Sequence, residues 1–195
     1  MLKMALGSCV AAIAMFVTGF LFYATPLQGI AFSAVDDAKG AAIQGALADN
    51  LSASGTGTYT IPNPSTSDGG VGYIQGPIAT IHYSNQGYPI ADMSVLAWGF
   101  LHELIICFLL GWALMGIDRR VPDYISRGKT VIMFSLAASA FVHLGNPIWY
   151  HHDWTYEIYR FVADAVMLIV AGMILARWFL PVAAEMPPLS KGGIA

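Results

Sequence analysis

The sequence predicts an all-α membrane protein, a four-transmembrane-helix bundle with a large extracytoplasmic loop between helices 1 and 2. Three observations support this fold class. The 195 residues are 56% hydrophobic and only 11% charged, whereas about 25% of the residues in an ordinary soluble domain are charged. Four apolar stretches each approach the roughly 20 residues that cross a hydrocarbon core of ~30 Å. A single long polar segment interrupts them, between the first stretch and the second.

The four apolar stretches divide the chain into parts. The predicted transmembrane helices are Met4–Ala24, Met93–Gly116, Thr130–Tyr150 and Phe161–Pro181. The resulting organisation is a first helix in residues 1–24, an extracytoplasmic loop in 25–92, helices 2–4 in 93–181 and a tail in 182–195. The first apolar run is longer than the ~7–15 residues usual in a signal peptide, so we expect a retained helix.

The distribution of basic residues predicts the orientation of these helices. The short loop after the second helix carries four basic residues, namely Arg119, Arg120, Arg127 and Lys129. The long loop carries one basic residue, Lys39, and residues 151–159 carry none. Because loops rich in lysine and arginine stay in the cytoplasm, we expect residues 25–92 and 151–159 outside. Both termini, including the tail with Lys191, are then cytoplasmic.

The long loop shows local patterns of ordered structure. Ser33 is a plausible N-cap for a short helix that reaches Leu51. Two β-prone runs follow, Thr58–Ile61 and Val71–Tyr83, with a turn predicted at Ser65–Gly70. The loop is therefore expected to hold one short helix and a small β element that lies over the outer mouth of the bundle.

Three sequence elements resemble an uncharacterised family of small bacterial four-helix inner-membrane proteins. They are GTGTYTIPNP at Gly55–Pro64, GPIATIHYSNQGYPI at Gly76–Ile90 and NPIWYHHDW at Asn146–Trp154. The resemblance implies the same topology in the bacterial cytoplasmic membrane. It implies no activity, because the function of that family is unknown.

Ionisable side chains inside the apolar stretches are the strongest functional signal. A charge at the centre of a membrane helix costs about 2.5–3.5 kcal/mol on insertion scales, so such groups face the bundle interior and pair. The predicted intramembrane polar cluster comprises His102, Glu103, His143, Asn146, Arg160 and Asp164. The simplest interpretation is a set of hydrogen bonds that lock the helices together.

Three chemical alternatives use members of this cluster or the polar residues that follow the third apolar stretch. Histidine and carboxylate ligands suit a transition metal, and the candidate set is His143, His151, His152 and Asp153. A b-type haem needs two axial histidines on different helices, for which His102 and His143 are the candidates. A proton relay would use His102, Glu103 and Asp164, although four spans without inverted repeats are few for a transporter acting alone.

The sequence favours a protein without catalytic activity of its own. It contains no P-loop, dinucleotide fingerprint, nucleophile elbow or HExxH motif. The net charge of −3 gives no reason to expect a nucleic-acid partner. We therefore predict an accessory or structural subunit that stabilises or assembles a larger membrane complex, for which a bioenergetic complex is one candidate. Its predicted partners are the lipid bilayer and other membrane subunits, with no cofactor as the first expectation.

Overall fold

The computed structural model describes residues 2–90 and 92–180. The predicted tail at 182–195, with Lys191, lies outside the described residues, as does Pro181 at the end of the fourth predicted span. The chain divides into two compact units. We call residues 2–33 and 93–180 the helical unit, and residues 34–90 with Asp92 the insert.

The described elements alternate between these units. In chain order they are α1 (Leu2–Tyr23), α2 (Asp37–Leu51), β1 (Gly57–Ile61), α3 (Ser67–Gln75), β2 (Ala79–Tyr83), α4 (Met93–Ile117), α5 (Tyr124–His143), α6 (Asn146–Tyr150) and α7 (Trp154–Ile174). A 3-10 turn follows α1 at Pro26–Ile30, and a π-helical turn continues α7 at Leu175–Phe179. The segments Leu2–Tyr23, Met93–Ile117, Tyr124–Tyr150 and Trp154–Phe179 are long and apolar enough to cross a membrane. The prediction of four such helices is confirmed.

Two of the helices begin earlier than their apolar stretches. Helix α5 starts at Tyr124 rather than Thr130, because the Asp123 carboxylate accepts a hydrogen bond from the Ser126 backbone N–H at 2.9 Å. Hydrogen bonds from the Ser126 side chain and backbone also hold the pKa of Asp123 below its usual value. Helix α7 starts at Trp154, where Asp153 accepts from the Tyr156 N–H at 2.7 Å. The caps extend both helices into polar sequence.

The helical unit is built around α1 and α7. Helix α1 packs on both α4 and α7, and α5 packs on α7. Small side chains allow this close packing, as Ala11, Ala12, Ala163 and Ala171 are all fully buried. Gly172 of α7 faces Val131 of α5 so closely that an added Cβ would stand 2.6 Å from a valine methyl carbon. Such small-residue contacts are typical of helices that associate in a bilayer.

The two ends of the helical unit differ in their polar content. We call the end where α1 ends and α4 begins the insert end, and the opposite end, at residues 118–123, the turn end. At the turn end Arg119 and Arg120 are exposed. Arg127, predicted to be a loop residue, instead lies in α5, is 2% exposed and donates from Nε to the Val121 carbonyl at 2.9 Å. The basic cluster is therefore partly built into the fold.

The helix predicted in the insert is present with a different N-terminus. Helix α2 begins at Asp37, and its N-cap is Asp36, whose carboxylate accepts from the Lys39 backbone N–H at 2.9 Å. Ser33 was expected in that position, and the expectation was wrong. A carboxylate at the N-cap also complements the helix dipole and forms a 2.8 Å ion pair with the Lys39 ammonium group.

The predicted β element is present as a two-stranded antiparallel sheet. Strand β1 pairs with β2 with Thr60 opposite Thr80. The second strand is shorter than predicted, because residues 67–75 form α3 instead of a turn followed by a strand. Thr66 caps this helix by accepting from the Gly69 N–H at 3.1 Å. This local hydrogen bond outweighs the weak β-propensity of the Val71 segment.

We predict that Gly172→Ala destabilises the helical unit. The new methyl group would meet the two γ-carbons of Val131 at 2.6 and 3.1 Å, and a β-branched side chain has little freedom to move away. Overpacking of this kind costs about 1–3 kcal/mol. The free energy of unfolding in bicelles would measure it. The matched control is Gly116→Ala in α4, where an added Cβ meets nothing within 4 Å; equal losses from both variants would contradict the packing argument.

Candidate functional site

A network of polar side chains joins three helices at the insert end of the helical unit. We call it the polar network; its members are Tyr23, His143, Asn146, His152, Glu157 and Asp164. Tyr23 ends α1, His143 ends α5, and Glu157 and Asp164 both belong to α7. The hydrogen bonds of the network therefore tie α1, α5 and α7 together.

The imidazole of His143 is the centre of the polar network. It is 1% exposed. Its Nε2 lies 2.7 Å from Oδ2 of Asp164, and its Nδ1 lies 3.3 Å from Oε2 of Glu157. Both ring nitrogens thus face carboxylates of the same helix, and the ring bridges two turns of α7.

Glu157 is fully buried and is surrounded by hydrogen-bond donors. Its Oε1 lies 2.7 Å from Nδ1 of His152 and accepts from Nδ2 of Asn146 at 3.2 Å. Its Oε2 faces His143. A buried carboxylate is tolerated when such partners satisfy its oxygens. The partners come from α5, α6 and the segment between α6 and α7, so Glu157 holds the chain reversal after α5 in place.

Asp164 extends the polar network to α1. Its Oδ1 accepts a hydrogen bond from the Tyr23 hydroxyl at 3.0 Å, while Oδ2 faces His143. A second contact between the same helices lies beside it, where the Tyr159 hydroxyl donates to the Phe22 carbonyl at 2.6 Å. The side chain of Asp164 is 36% exposed and that of His152 is 30% exposed. The buried centre therefore reaches the surface through these two groups.

Helical spacing and one unusual turn explain the geometry. Glu157 and Asp164 are seven residues apart, which places both on one face of α7 about 10 Å apart along the helix axis. Between α6 and α7 the backbone of His151 is left-handed, with a φ of 57°, a conformation that histidine adopts more readily than most non-glycine residues. This turn reverses the chain and brings His152 back onto Glu157.

The structure brings together half of the predicted intramembrane cluster. His143, Asn146 and Asp164 belong to the polar network, whereas His102 is exposed on α4. The guanidinium carbon of Arg160 lies 5.4 Å from the centre of the Tyr156 ring, so the cation stacks on an aromatic face. His102 was predicted as a cluster member and lies outside the polar network, whereas Arg160 lies beside it and interacts with Tyr23.

Glu103 occupies a separate position between α4 and α1. Its Oε1 would lie 3.7 Å from a Cβ built on Gly19, which means that this glycine leaves room for the carboxyl group. Its Oε2 is buried and has no hydrogen-bond partner among the residues that the structure describes. Gly19 also faces Met167 of α7, so Glu103 lies near the junction of α1, α4 and α7.

Three of the predicted metal and haem ligands, His143, His152 and Asp153, contact other residues of the chain. Within residues 2–90 and 92–180 no group of three or more His, Cys, Asp or Glu side chains is arranged to hold a metal, so the predicted set of His143, His151, His152 and Asp153 does not form one site. Asp153 caps α7 and His152 contacts Glu157. An axial role for His143 would require one of its two carboxylate contacts to break. The haem pair of His102 and His143 stays a prediction that this geometry does not favour.

Three members of the polar network were not in the predicted cluster, namely Tyr23, His152 and Glu157. His152 was predicted only as a metal ligand. Tyr23 lies at the end of the first apolar stretch, and only the packing of α1 on α7 brings its hydroxyl to Asp164. Glu157 was placed just outside the fourth apolar stretch. Its spacing of seven residues from Asp164 was the signal that would have found it, because residues two helical turns apart share a face.

No protein-family model, no curated protein and no solved structure matches this chain. The resemblance to the uncharacterised bacterial family therefore stays a prediction.

We predict that His143→Leu destabilises the helical unit by about 3–5 kcal/mol, as removal of one partner from a buried ion pair does. The leucine would leave Glu157 and Asp164 without the donor between them. Unfolding of the purified protein in bicelles would measure the loss. The matched control is His102→Leu on the exposed surface of α4, where the substitution leaves no buried carboxylate without its partner. A His143→Leu variant as stable as this control would contradict a structural role for the network.

Proposed function

We propose that this chain is a non-catalytic integral membrane protein that acts as an accessory or structural subunit of a larger membrane complex. The observation that carries the proposal is an exposed histidine, His102, in the middle of the most exposed of the four apolar helices. The partner-contact surface would be the exposed face of α4.

The exposed face of α4 is apolar around His102. Trp98 stands four residues before it and is 70% exposed, and Ile105 stands three residues after it and is 52% exposed. Residues at these spacings lie on one side of a helix. His102 lies roughly 14 Å from the start of α4 at 1.5 Å per residue. In a bilayer this depth is well inside the hydrocarbon region.

A polar side chain at that depth favours a protein neighbour over lipid. Ionisable residues within membrane helices almost always face a protein interior or a water-filled cavity, where they pair. The other strongly exposed residues of α4, such as Trp98 and Trp112, are large and apolar. A partner helix with a hydrogen-bonding group opposite His102 would satisfy both features.

Two apolar grooves on either side of α4 add to this surface. One has a volume of about 320 Å³ and runs between α4 and α5, with Leu110 and Phe134 in its lining. The other has a similar volume and runs between α4 and α1, with Phe108 and Ala5 in its lining. Grooves of this kind accept the side chains of a neighbouring helix or lipid acyl chains.

The proposed location is the bacterial cytoplasmic membrane, with the turn end inside. The exposed arginines Arg119 and Arg120 at the turn end support this orientation, because basic loops stay in the cytoplasm. The insert end, with the polar network and the insert, would then face outward.

Site-specific photocrosslinking in native membranes tests the proposal. A photoreactive residue at Ile105, on the His102 face, is expected to capture another membrane protein, and mild-detergent purification should recover the same protein with the wild type. The matched control is a photoreactive residue at Met133 of α5, which is 67% exposed and apolar. Equal labelling of lipid from both positions, with a monomeric mass in native mass spectrometry, would rule out the proposed interface.

His102→Leu provides an independent test of the polar contact. It should leave the free energy of unfolding nearly unchanged but reduce co-purification of the captured partner, because the hydrogen bond across the interface is lost. Quantitative mass spectrometry of the purified material measures this ratio. An unchanged ratio would show that His102 is not part of the contact.

A further inference from the structure

The polar network contains a series of titratable groups with a buried middle and two partly exposed ends, His152 and Asp164. His152 contacts Glu157, Glu157 contacts His143, and His143 contacts Asp164. Asp164 then accepts from Tyr23. Three of these four steps are 3.0 Å or shorter, within hydrogen-bond reach for proton transfer. The step between Nδ1 of His143 and Oε2 of Glu157 is longer, at 3.3 Å.

Each nitrogen of His143 faces a carboxylate oxygen. Two hydrogen bonds need two protons between these atoms, and a neutral imidazole supplies only one. When both contacts are hydrogen bonds, the second proton comes from a carboxyl group or from protonation of the ring. An imidazole placed in this way relays protons, because it can take one up on one nitrogen and release one from the other.

Glu103 lies near the inner end of this series. Its Oε1 lies close to the Gly19 position on α1, and Tyr23 is one helical turn further along α1. Met167 reaches the same Gly19 position from α7, and Asp164 precedes Met167 by three residues. Along the axis of α1, the Gly19 position beside Glu103 and the network residue Tyr23 are thus about one turn, or ~5.4 Å, apart.

The carboxyl group of Glu103 is chemically suited to hold a proton. Its Oε2 is buried and lacks a donor among the described residues. An ionised carboxylate in that position would lose its solvation without compensation. Protonation removes the charge and so removes most of this cost.

We propose that the polar network exchanges protons between water at the insert end and the carboxyl group of Glu103. A proton enters on Nε2 of His152, and the proton on Nδ1 passes to Glu157. Glu157 then transfers a proton to Nδ1 of His143, and Nε2 of His143 releases one to Asp164. Asp164 supplies Glu103 across the remaining turn, which a rotation of the Glu103 side chain or one water molecule closes. Only bonds to hydrogen form and break, and no electron is transferred.

Other titratable or charged groups lie on the elements around this path. They are Lys3 and Cys9 on α1, His102 and Cys107 on α4, Tyr124, Arg127 and Lys129 on α5, Tyr150 on α6, His151 and Asp153 before α7, and Tyr156, Tyr159, Arg160 and Arg177 on α7 and its continuation. Of these, Arg160 is the cation nearest in sequence to the two network carboxylates, one turn from each along α7.

Infrared spectroscopy of the full-length protein in lipid nanodiscs tests this path. The C=O stretch of the protonated Glu103 carboxyl group is assigned as the band that Glu103→Gln removes. After transfer into D₂O buffer the band should shift rapidly in the wild type. In Asp164→Asn and Glu157→Gln the shift should slow by about tenfold or more, since a positioned acid–base group contributes about 10²–10⁴-fold to proton transfer.

A carboxylate-to-amide change outside the path is the control. Asparagine at position 123 is still a good N-cap. In Asp123→Asn, at the turn end, the Glu103 carboxyl group should therefore exchange its hydrogen for deuterium at the wild-type rate. If Glu157→Gln fails to fold, Asp164→Asn decides the matter, because the side chain of Asp164 is 36% exposed. Two results would overturn the proposal, namely exchange at the wild-type rate in the folded Asp164→Asn variant, or the absence of a band that depends on Glu103. Neither result depends on whether a partner subunit contacts α4.

Discussion

The contact of His143 with two carboxylates of α7 determines how the helical unit is arranged. The imidazole is buried between Glu157 and Asp164. Helix α5 therefore cannot slide along α7 without separating the imidazole from one of these carboxylates. Because unpaired ionic groups are far more costly in a bilayer than in water, this contact fixes the axial register of α5 against α7. Asp164 passes the same constraint to α1 through the Tyr23 hydroxyl. Apolar packing alone, between lipid-like surfaces, would specify the register less sharply.

Helix α4 is held differently from the other three. It packs mainly on α1, and its buried contacts use small or soft groups, such as Gly111 and Cys107 against Met4 and Met15. The carboxyl group of Glu103 on α4 has a buried Oε2 without a partner among the described residues. An edge helix with an exposed histidine and a poorly satisfied carboxyl group suits a surface that is completed by something else. The two proposals assign those two groups, His102 to a partner and Glu103 to a proton.

The structural and the chemical roles of the polar network are compatible. A network that is fully hydrogen-bonded stabilises the packing of its helices. A series of groups relays protons when each of them can take up one proton and release another, which imidazole and carboxyl groups do and the amide of Asn146 does not. Within the network Asn146 can therefore act only as a structural donor to Glu157, and the titratable members can do both. Experiments can separate the two roles. Replacing a carboxyl group by an amide, as in Asp164→Asn, keeps the shape of the side chain but removes its ability to take up and release a proton.

The sequence by itself determined the four apolar helices, the small strand pair and the presence of polar groups inside the spans. These features depend on composition, on local hydrogen-bonding propensity and on helical spacing, all of which are properties of short segments. Composition did not predict which local hydrogen bonds form at helix ends. The cap at Thr66 produces α3 in place of a predicted turn and strand, and Asp36 rather than Ser33 caps α2. The sequence did not determine which polar groups meet. His102 and His143 are equally plausible as interior residues when each span is apolar all round, because no amphipathic face shows which side turns inward. Only the packing of α5 and α1 on α7 decided that His143 contacts Glu157 and Asp164, that Tyr23 joins them, and that His102 is left on the surface.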